Sequence, residues 1–242
     1  MLPRARGFVE EFRLKASLRA LERVKEFIEP KAYERLRDLV ECRLTGKEFE
    51  RDKINVKIAV AYSGGSDSSA TVKILRWAGF DVVPITARLP HISKEKLREE
   101  TLFVEVPGYL EEMEKLIEKR APICGRCHSM VMRAVEEKVR ELKIRILATG
   151  DMLSIGSGSI YEKENLVILN LPAFLSLNKV DLLSILGWED YEFKYGCPLW
   201  REAVKRVPIM KRFAIQRVLR ELRTGAINED IAKKLIFDIL RA

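Results

Sequence analysis

Glutamine, histidine and long apolar runs are all scarce in this sequence. One glutamine and two histidines stand beside 44 Lys or Arg and 36 Asp or Glu residues, a composition typical of heat-adapted proteins. No apolar segment approaches the length of a membrane span. The first residues, MLPRARGFVEEFRLKASLRAL, place charges in every turn instead of an apolar signal core. We therefore expect a cytoplasmic protein without a membrane partner.

Cysteine is also sparse, with four in 242 residues. Cytosolic thiols stay reduced, so cysteines in such a chain favour metal binding or catalysis over disulfides. Cys42 lies in the amphipathic segment LVECRL, where a small buried residue is the more common role. The other three cysteines are therefore the candidates for metal binding or catalysis.

Positive charge is concentrated at the C-terminal end. The net charge is +8, and residues 194–242 contain 12 Lys or Arg against five Asp or Glu. Such a surface can contact RNA phosphates, and a solvated helix face is the alternative. The candidate contacts in this region are Arg201, Lys205, Arg206, Lys211, Arg212, Arg217, Arg220 and Arg223.

Strand and helix patterns alternate along most of the chain. Helical spacing of apolar residues before residue 50, interrupted by Pro30, predicts two or three N-terminal helices. Strands are predicted at 54–62, 80–89, 101–108, 144–150 and 166–172, and helices at 69–79, 109–120, 129–142, 179–187, 207–222 and 228–242. This order predicts an α/β fold with a doubly wound parallel sheet.

The length and these patterns suggest three regions. A chain of 242 residues, 47% of them hydrophobic, can form one sizeable α/β domain with smaller additions. We expect a helical N-terminal appendage at 1–53, the main domain at 54–200 and basic C-terminal helices at 201–242.

The segment AYSGGSDSS, between the first predicted strand and its helix, has the character of a phosphate-binding loop. Adjacent glycines allow a sharp turn with close backbone approach to an anion, and the helix N-terminus adds unpaired N–H groups and its dipole. No Lys follows the second glycine, which distinguishes this loop from the common NTPase loop. Asp67 would repel phosphate unless Mg²⁺ lies between them, so it is a candidate Mg²⁺ ligand.

The sequence SGGSDSS after a hydrophobic strand resembles the SGGxDS signature of the PP-loop ATP pyrophosphatases. The resemblance implies an adenine nucleotide alpha hydrolase-like fold and cleavage of ATP between the α and β phosphates. It implies catalytic roles for Asp67 and Asp151, with a helix N-cap as the alternative for Asp151. The implied ATP-binding residues are Ala61, Ser63, Gly64, Gly65, Ser66, Asp67, Ser68, Ser69, Thr86, Ala87 and Gly150, with adenine held by main chain around Ile85, Thr86 and Ala87.

Cys124 and Cys127 form a CxxC pair whose chemistry the spacing alone leaves open. The pair could be half of a zinc site, a redox pair or part of an iron-sulfur cluster. Zinc normally takes four ligands, yet the histidines are only His91 and His128, and His128 adjoins Cys127. Cys197 in YGCPLW adds a third thiol, and three thiolates can hold a 4Fe-4S cluster with one iron open.

The cysteine pair, the ATGD strand end and the later cysteine resemble the cluster-dependent PP-loop tRNA thiolases, and residues 56–200 are most similar to 4-thiouridine synthetases. The resemblance implies ligation by Cys124, Cys127 and Cys197, with zinc as the alternative metal. Lys179 begins a helix where the family often places Lys. Those synthetases have a large N-terminal RNA-binding region for which some 50 residues are too few, so a separate protein or the C-terminal helices could hold the RNA. Arg126 and Arg133 are further RNA-binding candidates near the cysteines, and ordinary surface charge is their alternative.

The implied function is ATP-dependent sulfur transfer to RNA. Adenylation of a carbonyl oxygen, as in a tRNA base, makes it a leaving group, and sulfide or another sulfur donor replaces it. Mg²⁺ and the loop would stabilise charge as pyrophosphate leaves. The alternatives are a ligase that amidates an adenylated carboxylate, sulfur transfer to a small molecule with a structural zinc, and a non-catalytic ATP-binding regulator. A homodimer is plausible.

Overall fold

A single mixed sheet forms the centre of the protein. The computed structural model describes residues 2–92 and 94–242. Within these residues the strands are β1 (Lys57–Ala61), β2 (Asp81–Ala87), β3 (Leu102–Val104), β4 (Ile146–Thr149), β5 (Ile160–Lys163) and β6 (Leu166–Asn170). They run in the order β3-β2-β1-β4-β6-β5, and all neighbouring pairs are parallel except β5 with β6. The predicted α/β class with a mostly parallel doubly wound sheet is confirmed.

Helices cover both faces of the sheet. They are α1 (Phe8–Arg23), α2 (Pro30–Thr45), α3 (Ser66–Trp77), α4 (Tyr109–Glu118), α5 (Cys124–Glu141), α6 (Leu171–Phe174), α7 (Lys179–Leu186), α8 (Pro198–Arg206), α9 (Met210–Arg223) and α10 (Glu229–Arg241). Strand alternation sends Ile58 and Val60 to a first core cluster and Ala59 to a second. The first cluster includes residues of α1, α2, α3 and α7, and the second includes residues of α4, α5, α8, α9 and α10.

The strand order places a crevice between β1 and β4. From β1 the chain passes through α3 to β2 and β3, and then returns to place β4 on the other side of β1. In open parallel sheets, ligands bind outside the carboxyl ends of the strands at such a switch point. The loop after β1 and the residues after β4 both begin at this point.

The sheet is mixed and not purely parallel, because it includes an antiparallel strand, β5, that was not predicted. This strand pairs with β6 from Ile160↔Leu169 to Lys163↔Leu166. The intervening Glu164 and Asn165 have φ values of 52° and 63°, as the tightest hairpins require at both turn residues. Because glycine is absent from this turn, its usual sequence signal is missing.

Several other element boundaries also differ from the predictions. The prediction that Cys124 and Cys127 lie in a loop before a helix at 129–142 was wrong, because α5 begins at Cys124 itself. Residues at i and i+3 lie on one face of a helix, and both cysteines pack against the second core cluster. The short helices α6 and α8 were also not predicted, although Pro172 and Pro198 occupy their first turns.

The N-terminal helices share a core with the sheet. Leu14, Leu21, Leu36 and Leu39 are fully or almost fully buried in the first core cluster with Ile58 of β1. The boundary predicted at residue 53 stays a prediction. In the structure, the helices before it complete the packing of one face of the sheet.

Arg43 of α2 connects these helices to the turn between α6 and α7. Its guanidinium is fully buried and pairs with Glu10 at 3.1 Å. It donates to the carbonyls of Leu175 and Ser176 at 3.0 and 3.1 Å, and also to that of Pro3. Burial lowers the pKa of Arg43, but the pKa of an arginine is high enough for the side chain to stay charged. This charge and its hydrogen bonds hold the turn that precedes α7.

We predict that Arg43→Met lowers the free energy of unfolding by about 3–5 kcal/mol, because it leaves buried carbonyls and Glu10 without their partner. Urea unfolding monitored by circular dichroism measures this change. Arg37→Met is the matched control, since Arg37 makes an exposed ion pair with Glu41 on the same helix, and it should cost less than about 1 kcal/mol. Equal midpoints for the two variants would contradict the bracing role of Arg43.

Candidate active site

The loop between β1 and α3 presents the N-terminus of a helix to the crevice. Gly64 has φ 73°, a left-handed conformation that glycine adopts at little cost. Gly65 is the N-cap of α3, and no side chain accepts a capping hydrogen bond there. The first N–H groups of this 12-residue helix therefore have no side-chain acceptor, which is the usual arrangement of an anion site.

The serines of the loop have different roles. The Ser68 hydroxyl donates to the Gly65 carbonyl at 3.2 Å and accepts from the Ser63 N–H at 3.2 Å, so it stabilises the loop itself. Ser63 is exposed. Ser69 is buried, and its Oγ has no hydrogen-bond partner among the described residues. Of the predicted hydroxyl donors, Ser63 is thus the one that faces solvent.

Lys179, the first residue of α7, brings an ammonium group to this loop. Its Nζ lies 2.6 Å from Asp67 Oδ1 and donates to Ser66 Oγ at 2.7 Å. The side chain is only 15% exposed. The loop itself lacks lysine, and α7 provides the ammonium group from 112 residues away in the sequence.

A capping box fixes the start of α7. Asn178 accepts a hydrogen bond from the Asp181 N–H at 3.0 Å, and Asp181 accepts from the Asn178 N–H at 3.1 Å. The buried Asp181 also pairs with Arg6 from the N-terminal segment. These contacts orient the first turn of α7 and with it Lys179.

Gly150 and Asp151 follow β4 and contact the same loop. A Cβ at Gly150 would lie 2.9 Å from the Asp67 backbone carbon, the Asp67 Cβ and the Ser68 nitrogen. Gly150 thus permits the close approach of two parts of the chain. The Asp151 carboxylate accepts from the Leu153 N–H at 2.7 Å and from the Ser154 hydroxyl, so it caps a turn.

Ile85, Thr86 and Ala87 are the last residues of β2 and are buried. They pair with residues 102–104 of β3, and the Ile85 carbonyl accepts from the Tyr62 N–H at 2.8 Å. Their main chain is therefore largely used by the sheet, and their role in adenine binding stays a prediction.

The three predicted ligand cysteines lie against the second core cluster. Cys124 and Cys127 occupy the first turn of α5, and Cys197 is the N-cap of α8, where its Sγ accepts from the Trp200 N–H at 3.5 Å. α5 ends just before the amino end of β4. Its first turn therefore lies toward the carboxyl edge of the sheet, which is the edge that also holds the phosphate loop.

Two polar side chains contact the paired cysteines. The Tyr109 hydroxyl lies 3.2 Å from Cys127 Sγ, and Arg217 Nη1 lies 3.8 Å from Cys124 Sγ. Arg217 is oriented by Glu221 at 2.9 Å. No motif in the sequence points to Tyr109, and Arg217 was predicted only as a candidate RNA contact.

Burial and charge act in opposite directions on these thiols. Burial raises the pKa of Cys124, and the Arg217 guanidinium partly offsets this. Burial also raises the pKa of Cys127. The hydrogen bond from Tyr109 acts to lower this pKa, and the charge of Cys197 acts to raise it. Burial and the hydrogen bond to Cys127 raise the pKa of Tyr109.

The donor chemistry of the three thiols fits a cluster held by three thiolates. Among residues 2–92 and 94–242, no group of three His, Cys, Asp or Glu side chains is already arranged to hold a metal ion. Cys42 is buried in α2, apart from these cysteines. His128 is exposed. His91 is partly buried, and this burial lowers its pKa.

The basic candidates for RNA binding are partly engaged within the protein. Arg126 pairs with Glu112 and Arg206 with Glu114, while Arg201 and Lys211 donate to the carbonyls of Gly196 and Leu240. The exposed candidates include Arg133, Lys205 and Arg212. No helix in the described part of the chain is long and apolar enough to cross a membrane.

We predict that Gly150→Ala separates the end of β4 from the phosphate loop, because the new methyl group would overlap the backbone of Asp67. Overpacking of this kind costs about 1–3 kcal/mol. Thermal unfolding should show the loss. Gly158→Ala is the control, since its Cβ would meet only Ser154 Cβ, at 3.6 Å. Wild-type stability in Gly150→Ala would refute the prediction.

Comparisons with known proteins place the chain among archaeal relatives. No family model matches it. Among solved structures, the U34-tRNA thiolase NcsA from Methanococcus maripaludis with its 4Fe-4S cluster aligns over 87% of this chain and 78% of that chain, with a TM-score of 0.43 and 13% identity. An uncharacterized protein of Methanocaldococcus jannaschii, MJ1599, is 24% identical over 225 residues, covering 85% of this chain and 80% of that protein.

A second uncharacterized protein of M. jannaschii, MJ1638, shares more of the sequence. It is 33% identical over 249 residues, and the alignment covers 96% of this chain and 94% of that protein. Similarity at this level extends over nearly the whole chain. The chain therefore belongs to the same protein family as MJ1638.

Proposed function

We propose that the protein is an ATP-dependent sulfurtransferase that adenylates a carbonyl oxygen of an RNA base, with tRNA as the expected substrate, and replaces that oxygen with sulfur. The observation that supports this best is the placement of two different chemistries at one edge of the sheet. The loop after β1, with the Lys179 ammonium group beside it, lies at the switch point, and Cys124 and Cys127 lie toward the same edge, packed against the core cluster that Cys197 also contacts.

The ATP half of the proposal rests on the loop, Lys179 and Asp67. The N–H groups of the first turn of α3 would bind phosphate oxygens. In the protein alone, Lys179 neutralises Asp67. With Mg²⁺ and ATP bound, Asp67 would ligate the metal ion and Lys179 would turn toward the phosphates. We propose Asp67 and Asp151 as the catalytic carboxylates. Asp151 also caps the turn that follows β4.

The bond changes of the proposed reaction balance without a redox step. The carbonyl oxygen attacks the α phosphorus, forming the adenylate, and pyrophosphate leaves. Hydrosulfide then attacks the carbon that carries the adenylated oxygen. AMP leaves with that oxygen, and the proton of the hydrosulfide passes to solvent. Positioned cations stabilise the negative charge that develops on the phosphates.

The sulfur half of the proposal rests on Cys124, Cys127 and Cys197. These residues would hold a 4Fe-4S cluster, which when bound supplies an iron without a protein ligand at which sulfide can bind. The thiol side chains would have to change rotamer to close around the cluster. Tyr109 and Arg217 would donate hydrogen bonds to the thiolates, and packing against the second core cluster would limit access of water.

The binding of RNA, which both halves of the reaction require, rests on charge. Arg133, Lys205 and Arg212 are exposed on α5, α8 and α9, with no ion pair among residues 2–92 and 94–242, and such cations bind phosphates without reading sequence. Arg126, Arg201, Arg206 and Lys211 would have to leave their present partners to contribute.

We predict that Lys179→Met weakens binding of a non-hydrolysable ATP analogue, measured by calorimetry, by about 10–100-fold, because one charge-assisted contact is lost. The matched control is Lys57→Met, at the opposite end of β1, where Lys57 is exposed. Unchanged affinity in Lys179→Met would exclude a role of this ammonium in nucleotide binding.

We predict that the protein purified without oxygen is brown and contains about four irons and four labile sulfides per chain, and that Cys197→Ala loses both while still binding ATP. Cys42→Ala is the matched control and should keep the cluster, since Cys42 is buried in α2. A colourless zinc protein, or a full cluster in Cys197→Ala, would rule out the proposed ligands.

Product analysis separates the remaining alternatives. Pyrophosphate release that requires both RNA and sulfide supports the proposed reaction, whereas release with a carboxylate and an amine donor would identify a ligase. Sulfide-dependent release without RNA would indicate a small-molecule acceptor, and no release under any condition would indicate a regulator. Mass spectrometry of nucleosides from a deletion strain identifies the modified base.

A further inference from the structure

Helix α1 exposes two aromatic side chains that have no packing role in the core. Phe8 is 80% exposed and Phe12 is 57% exposed, and their rings stack at 6.1 Å between centroids with a 30° interplanar angle. Val9 between them is 58% exposed. A contiguous apolar patch of this kind on a surface helix marks an interaction site.

Two arginines continue the face that carries these rings. Phe8, Phe12, Arg19 and Arg23 are separated by four, seven and four residues, so they lie along one face of α1. We call these four residues the α1 stripe. It spans about 22 Å at the rise of an α-helix, and both arginines are exposed without an ion pair in the described part of the chain.

Val9, between the two phenylalanines of the stripe, lines a cleft beside α1. Its volume is about 300 Å³, and its lining includes Arg6, Arg13, Arg223, Met152 and Asn178. Met152 directly follows Asp151, and Asn178 directly precedes Lys179. The cleft thus borders the residues that surround the phosphate loop.

Positive charge is in excess along this surface. Arg13 donates to the uncharged Thr224 carbonyl at 2.7 Å, and Arg223 has no ion pair among residues 2–92 and 94–242. Of the carboxylates on α1, Glu10 is paired with Arg43, and Glu22 is paired with Lys25 and accepts from Tyr33. Glu11 is the one α1 carboxylate without an ion pair among residues 2–92 and 94–242. Because Arg19, Arg23 and Arg223 outnumber it, the charge of this surface favours a polyanion.

We propose that the α1 stripe and the adjoining cleft bind a single-stranded segment of the RNA substrate, with bases stacked on Phe8 and Phe12 and phosphates on the arginines. Exposed aromatic faces and a row of cations are the two parts of a single-strand site. A protein partner or second copy would also cover the phenylalanines, but the excess of arginine favours RNA. This inference rests on the proposed function, since it names where that substrate docks.

The test is fluorescence anisotropy of a labelled 12-nucleotide oligouridine with the full-length protein at several salt concentrations. Phe8→Leu/Phe12→Leu keeps apolar bulk but removes both π faces, and we expect affinity to fall about tenfold or more, by the same factor at every salt concentration. Phe8→Tyr/Phe12→Tyr keeps the faces and should stay within about twofold of the wild type. Phe237→Leu is the control, since Phe237 is 57% exposed on α10.

The arginines should have a different signature. Arg19→Gln/Arg23→Gln should reduce the magnitude of the slope of log affinity against log salt by about 1.4, since each phosphate contact to a single strand contributes about 0.7. The aromatic variants should leave this slope unchanged. Because all four side chains are exposed, urea unfolding should show unchanged stability.

Two outcomes would overturn the inference. One is equal RNA affinity in the Leu and Tyr variants. The other is a wild-type dimer, seen by sedimentation, that Phe8→Leu/Phe12→Leu dissociates without weakening RNA binding. Pyrophosphate release measured in parallel keeps the two proposals apart. If the wild type forms pyrophosphate with RNA and sulfide but the variants bind RNA normally, only the docking surface is wrong, whereas no release from any form rejects the function itself.

Discussion

The contact between the Lys179 ammonium, Ser66 and Asp67 is the interaction on which the candidate site depends. It joins the first residue of α7 to the first turn of α3 and places a cation and an anion side by side at a helix N-terminus. Asp67 alone would oppose a bound phosphate, and Lys179 removes that opposition at close range. The local charge at the crevice is therefore set by a residue far away in the sequence.

The N-terminal helices support this contact from behind. Arg43 donates to the carbonyls of Leu175 and Ser176, just before α7, and Arg6 pairs with Asp181 in its first turn. Residues of the N-terminal region therefore hold both the turn before α7 and the start of the helix. Ser176 in that turn has φ 49°, a conformation that needs support from its surroundings. The N-terminal region thus acts as part of the site's framework, and its exposed face on α1 remains available for binding.

The sequence predicted what local patterns encode. The buried strand, glycine turn and helix around residues 57–77 were predicted because periodicity and glycine pairs are local signals. The hairpin turn at Glu164 and Asn165 was missed because left-handed residues other than glycine leave little trace in a sequence. The contacts of Lys179 and Arg217 could not be predicted, since they depend on how distant helices pack.

The absence of a side chain at Gly150 has a mechanical consequence. The end of β4 lies directly against the backbone of Asp67 and Ser68, with no room for a side chain between them. A shift of the first turn of α3 would therefore press on the chain that continues to Asp151 and Met152, and Met152 lines the cleft beside α1. If the loop binds a nucleotide and the cleft binds RNA, as we propose, this single backbone contact would connect the two sites.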